Sequence, residues 1–172
     1  GEFQLVSAVL GIAHPPGYPL YTILGRLFAL LPIGDVAWRI NFYGAICGAL
    51  TLAIIASSVR RASGSTSAAL IAASVLGVAT TFWAQSTTAN IRTLTALLTA
   101  LSLSRLLRWG ETRSQRDLTV FAVCFGLGIG HHASISLLGL PFLAFILATD
   151  PRIVSQPKRC GGAAAALAAS LT

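Results

Sequence analysis

Three stretches of this sequence carry groups able to bind phosphate, exchange protons or form directed hydrogen bonds. They are His14-Pro15-Pro16-Gly17-Tyr18-Pro19, the polar run Ala84–Thr93 and the pair His131-His132. In the first, the prolines fix φ and exclude helix at and just before their positions, which makes a stiff turn with an imidazole at its head. In the second, Gln85, Ser86, Thr87, Thr88, Asn90 and Arg92 interrupt otherwise apolar sequence. A guanidinium pairs bidentately with phosphate, and Arg39 and Arg92 at the edges of apolar runs are placed for that. Arg26 reads instead as a side chain that snorkels to headgroups. Neighbouring residues on a helix point about 100° apart, so His131 and His132 are poorly set to share a metal, and no carboxylates accompany them. One of the two is expected to meet a phosphate or hydroxyl, the other to pack or face water. Glu2 and Asp35 are the acids of the opening segment; Asp35 reads as a helix cap.

These groups sit in a very apolar chain. Of 172 residues, 55% are hydrophobic and 10% charged, where a soluble domain carries about 25% charged residues. Mean hydropathy is +0.77. The run Ile40–Val59 has no charge at all, and a soluble surface helix needs a polar stripe. The pattern predicts an all-α, multi-pass transmembrane helical bundle. The net charge of +7 does not indicate a nucleic-acid partner, because the arginines fall in loops between apolar runs and form no basic face interleaved with aromatics. The three cysteines lack metal-ligand spacing; Cys47 and Cys124 lie in apolar runs and read as packing residues. No metal and no cofactor is expected.

Short helices are predicted over Phe3–Ala13 and Leu20–Leu31. The second reaches about 18 Å against a hydrocarbon core of roughly 30 Å, so both are expected to lie in the interface, with Tyr18 and Tyr21 as anchors. In the second of these helices, Leu20, Ile23, Leu24, Leu27 and Leu31 share one face and Thr22, Gly25, Arg26 and Ala29 the other. Spans are predicted over Ile40–Val59, Ala68–Phe82, Leu94–Leu107, Leu118–Gly130 and Ala133–Ala148. Gly44 and Gly48 give the first a small face for close approach of a neighbour. Gly126, Gly128 and Gly130 narrow the fourth and suggest a break near its end. Ala62–Ser67, Gly110–Asp117 and Asp150–Arg159 are predicted loops.

Arg60, Arg61, Arg105, Arg108, Arg113, Arg116, Arg152, Lys158 and Arg159 outnumber Arg26, Arg39 and Arg92, which makes the first set's side cytoplasmic. The three polar stretches are then expected to converge on the external face. In ranges, 1–39 is an external loop, 40–148 spanning helices, 149–162 a cytoplasmic loop and 163–172 the start of a further helix. The absence of methionine and of a basic leader before Phe3–Ala13 suggests an internal piece of a larger protein.

Gly1-Glu2-Phe3-Gln4, then Leu10-Gly11-Ile12-Ala13-His14-Pro15-Pro16-Gly17-Tyr18-Pro19-Leu20-Tyr21, resembles the opening signature of a bacterial membrane family catalogued as a domain of unknown function. That family is similar to the protein O-mannosyltransferases of the GT-C glycosyltransferase fold. The likeness runs on through Val36-Ala37-Trp38-Arg39-Ile40-Asn41, Phe82-Trp83-Ala84-Gln85 and Gly126-Leu127-Gly128-Ile129-Gly130-His131-His132. It implies a GT-C-like bundle with interfacial helices in its first external loop. It also implies a transferase at the external face of a bacterial inner membrane, moving a mannose-like hexose from a polyprenyl-phosphate donor to a protein or glycan. Glu2 matches the glutamate of an Asp-x-Gly-Glu pattern whose aspartate lies upstream of Gly1, and takes the catalytic role. His14, Tyr18, Arg39, Asn90, Arg92, His131 and His132 are the implied substrate contacts. The chain departs from the pattern at Ala89-Asn90-Ile91-Arg92-Thr93-Leu94-Thr95, where the family reads Ala-Glu-Val-Tyr-Thr-Leu-Asn, and at Gly130-His131-His132, where it reads Gly-Asn-His. The amide at Asn90 keeps a rival reading in view, a non-catalytic or transport protein that binds a lipid-linked solute in the same cavity. Implied partners are the bilayer, the lipid-linked sugar and the acceptor.

Overall fold

The structure is a computed structural model that describes residues 1–15, 17–155 and 157–170; at 154–155 and 157–160 it describes the backbone alone. All the regular structure among its described residues is helix, with no strand. Two compact units divide the chain, Gly1–Leu97 and Leu98–Thr172.

The first unit opens with α1 (Glu2–Val9) and α2 (Pro19–Ala29). Pro19 at the first helical position starts α2, since its fixed φ suits a helix and its missing N–H is not needed there. The buried face of α2 is Tyr21, Thr22, Gly25 and Ala29, while Ile23 and Leu27 are more than half exposed. The leucine face thus points outward and the small, polar face inward, because Gly25 lets α1 come close. A Cβ on Gly25 would stand 2.5 Å from Ser7 Oγ and 2.9 Å from Ser7 Cβ. Arg26 donates from Nη1 to the Ala8 carbonyl, tying α2 to the last turn of α1 rather than extending to headgroups. Tyr21 is fully buried and Tyr18 nearly so, which corrects their reading as interfacial anchors.

Asp35 caps α3 (Val36–Ser63), its carboxylate accepting from Trp38 N at 2.8 Å. At 28 residues α3 spans about 42 Å. Its buried residues Ile40, Tyr43, Gly44, Cys47, Gly48 and Thr51 recur at helical spacing. Arg60 and Arg61 belong to its last turn, where cations suit the helix dipole, and Gly64 at φ 70° ends it. The predicted Ala62–Ser67 loop is therefore only Gly64–Ser65, with Ser65 capping α4 (Thr66–Val78).

The predicted Ala68–Phe82 span is broken. Ala79 is extended, and α4 meets α5 (Thr80–Ser86) at 71°. The bend lays the end of α5 on the small face of α3. Cβ atoms on Gly44 and Gly48 would meet Thr88 O at 3.0 Å and Ser86 Oγ at 2.6 Å. The close neighbour expected at Gly44 and Gly48 is thus α5 and the turn after it. The 22-residue α6 (Ile91–Thr112) begins in this unit and continues into the next. Among the described residues, α3 is the one helix long and apolar enough to cross a membrane, or one of two if α4 and α5 count as a single broken span.

In the second unit, α6 and α7 (Gln115–His131) are separated by Arg113 and Ser114 alone, so the predicted Gly110–Asp117 loop is mostly helix. Arg113 turns the chain at φ 56°, its guanidinium 5.3 Å from the Trp109 ring centre. Buried Asp117 holds the corner: it pairs with Arg105 and with Arg108, each at 3.3 Å. The predicted break near the end of the glycine arm is absent; α7 stays helical through Gly130 and ends at His131. A 3-10 turn over Ala133–Leu138 leads into α8 (Gly139–Thr149), and another over Pro151–Ser155 precedes α9 (Pro157–Ala169). Asp150–Arg159 is accordingly not one loop, and the terminal helix starts well before Ala163. α9 packs on α7 at Gly126, whose added Cβ would lie 3.0 Å from the Leu167 carbonyl.

Candidate functional site

Glu2 opens α1, and its carboxylate grips the head of the proline turn twelve residues on. Oε1 accepts from His14 N at 2.7 Å, and Oε2 lies 2.8 Å from His14 Nδ1. Both side chains stay about half exposed. The turn is closed by Gly17 N donating to His14 O at 2.9 Å. Leu10 and Tyr18, neither of them glycine, have positive φ, so strained backbone lies on both sides of His14. Behind it stands an aromatic wall. Phe3 lies 5.8 Å from His14 and 5.4 Å from Tyr21, and the Tyr18 ring meets His14 edge-on at 5.5 Å. His14 is therefore fixed from two sides, by a carboxylate and by rings.

The His14 backbone hydrogen bond, then its side-chain bond, hold the Glu2 carboxyl below its ordinary value of 4.5. An ionised carboxylate only accepts, so Nδ1 carries a proton, and in the uncharged ring that leaves Nε2 as the basic nitrogen. With a depressed folded-state value, the anchoring contribution of Glu2 is present above the ordinary carboxylate pKa. It is lost as pH falls through the lowered value. The His14 amide, which donates to Glu2, is expected to keep its hydrogen-exchange protection factor at about pH 6 and to lose it only once the pH has fallen below the ordinary carboxylate value.

A second cluster joins α1 to the polar run. Asn41 Oδ1 accepts from Gln4 Nε2 at 3.0 Å and from Ala89 N at 2.9 Å. Burial raises the pKa of the Tyr21 hydroxyl. The proline turn and the Ala84–Thr93 run thus come together in the first unit. In the sequence Asn41 stands out only as the end of the Val36–Asn41 motif. The signal that marks it is a lone amide inside an otherwise apolar helix, where it needs partners. Asn41→Leu is expected to cost about 1–3 kcal/mol, because the Ala89 N–H loses its acceptor; thermal unfolding of the full-length protein checks this.

The other sequence candidates are placed as follows. Asn90 Oδ1 accepts from Arg92 N at 2.9 Å and so caps the start of α6. Arg92 is exposed. Arg39 bonds three backbone carbonyls, Ala29 O at 2.7 Å, Ile33 O at 2.6 Å and Gly34 O at 2.8 Å, and so fastens the end of α2 and the loop after it. Tyr18 packs against Phe3 and His14. His131 is buried in the second unit as the last residue of α7. His132 caps the following 3-10 turn, its Nδ1 2.7 Å from Ser134 Oγ.

A family model described as the N-terminal domain of the protein O-mannosyl-transferase TMEM260 matches residues 1–155. The chain belongs to this family. Among curated relatives, the protein O-mannosyl-transferase TMEM260 of Mus musculus is 32% identical over 152 residues, 86% of this chain and 22% of its own length. The protein O-mannosyl-transferase tmem260 of Dictyostelium discoideum is 43% identical over 53 residues, 29% of this chain and 6% of its own. The chain thus spans about a fifth of the mouse relative. No solved structure matches it. Membership in the family agrees with the O-mannosyltransferase likeness read from the opening signature, and Glu2 and the His14 turn both fall in the matched range.

Proposed function

We propose that the full-length protein is an integral membrane glycosyltransferase that moves a mannose-like hexose from a polyprenyl phosphate to a protein or glycan hydroxyl at the external face. The supporting observation is the Glu2–His14 pair, exposed and preorganised, in a chain of an O-mannosyl-transferase family. In this reaction the acceptor oxygen bonds to the sugar's anomeric carbon. The carbon–oxygen bond to phosphate breaks, its electron pair leaves with the phosphate, and the acceptor proton passes to a base. Glu2, with an aspartate expected upstream, organises that base and the acceptor. His14 Nε2 then sits where a hydroxyl proton or a phosphate oxygen is met. Arg39, Tyr18 and Asn90 belong to the support of this site and its donor side. The multi-pass bundle, the GT-C-like fold and the bacterial inner membrane go with this reading. The exposed apolar faces of α1 and α2, including Leu5, Val9, Ile23 and Leu27, favour an interfacial position for both.

The test supplies the full-length protein, in lipid, with polyprenyl-phosphate mannose and candidate acceptors. Mannose transfer that needs Glu2 supports the proposal. Binding of the lipid-linked sugar without turnover, unchanged in Glu2→Gln, overturns it in favour of a binding or transport protein.

A further inference from the structure

The bend between α4 and α5 leaves a groove of about 370 Å³ beside the first turns of α6. Leu76, Ala79, Phe82 and Ala96 make its apolar wall, and Gln85 and Arg92 its polar end. No acidic residue lines it. Gln85 Oε1 is buried without a hydrogen-bond partner. A buried acceptor left unmet is costly and marks a place where a donor belongs. Arg92 is exposed, and among the described residues its guanidinium has no partner, whereas Arg26 and Arg39 are engaged by backbone carbonyls. It also stands in the first turn of a 22-residue helix, the end at which negative charge is favoured. A cation, an unmet acceptor and an apolar wall therefore share one groove.

We propose that this groove holds the glycosyl-phosphate end of a lipid-linked sugar. Arg92 pairs with the phosphate, Gln85 Oε1 accepts from a sugar hydroxyl, and the apolar wall receives the first segment of the lipid chain. The identity of the ligand rests on the transferase reading; the placement rests on the groove.

The test measures equilibrium binding to the full-length protein in lipid nanodiscs. The probes are polyprenyl-phosphate mannose, bare polyprenyl phosphate and mannose 1-phosphate. Arg92→Ala is expected to weaken both lipids about tenfold or more, with partial recovery in Arg92→Lys. Gln85→Leu is expected to weaken the mannosylated lipid about fivefold and leave the bare lipid phosphate unchanged. Mannose 1-phosphate is expected to bind more weakly than the lipid and to follow Arg92 in the same way. Unchanged affinity in a folded Arg92→Ala protein overturns the site, as does equal weakening of both lipids by Gln85→Leu. Mannose 1-phosphate binding as tightly as the lipid overturns the role of the apolar wall. Arg92-dependent binding with no transfer by the wild type sinks the transferase reading and leaves the groove standing. Glu2-dependent transfer with binding indifferent to Arg92 does the reverse.

Discussion

In the full-length protein, Glu2→Gln is expected to lower mannose transfer about 10²- to 10⁴-fold with no change in melting temperature. The substitution preserves shape. Its carbonyl oxygen still accepts from His14 N, and its amide nitrogen replaces Oε2 beside Nδ1. That nitrogen donates, so Nδ1 must now accept and the ring proton moves to Nε2. The outward nitrogen changes from base to donor while every heavy atom keeps its place. Because both side chains are about half exposed, the exchange costs little stability. A steady-state transfer assay beside a thermal melt separates the two effects, and a fall in stability matching the fall in rate would argue for a merely structural Glu2.

Gly25→Val is expected to destabilise the full-length protein by about 3 kcal/mol and to take most of the transfer activity with it. Already the first added carbon would stand 2.9 Å from Ser7 Cβ, on a residue with no exposed surface. A branched side chain there has no room to swing away, so α1 must lift from α2. Glu2 opens α1 and His14 lies on the connection between the two helices, so the lift separates the pair. Ser7→Gly removes the obstructing atoms and is expected to restore part of both stability and activity. Thermal unfolding of the single and double variants reads the effect, and a double variant no better than Gly25→Val contradicts it.

Much of the helix order is legible in the sequence because its punctuation is local. Asp35 before an apolar run is a cap, Pro19 is a helix start, and Gly44 and Gly48 are a place for close packing. The break at Ala79 has no such mark, since Ala79-Thr80-Thr81 reads as continuing helix. What decides it is a distant fit, Ser86 against Gly48, for which the helix must turn. The orientation of α2 is likewise set from outside: the sequence shows a leucine face and a small, polar face, and the contact of Ser7 with Gly25 turns the second of them toward α1. Charge read as loop was misleading at Arg60, Arg61 and Gly110–Asp117, where arginines close helices and pair with Asp117.

The candidate site was legible residue by residue and not as a pair. Glu2 and His14 each stand out, one as an early acid and one within a proline turn, yet twelve positions separate them and nothing in their spacing joins them. The folding back of the turn onto the start of α1 makes them partners. Arg39 shows the opposite case. Its position at the edge of an apolar run suggests a phosphate ligand, while three carbonyls left open by the end of α2 and its loop already occupy it. Arg92 has the same sequence setting and no such carbonyls.

The most direct test is a double-mutant cycle on transfer by the full-length protein, with Glu2→Gln, His14→Gln and both together. Two groups that act as one unit lose most of their effect with the first change. The double variant is therefore predicted to have a kcat/KM no lower than the worse single variant. Losses that multiply, each variant acting as though the other were intact, would show that Glu2 and His14 work independently and would contradict the account.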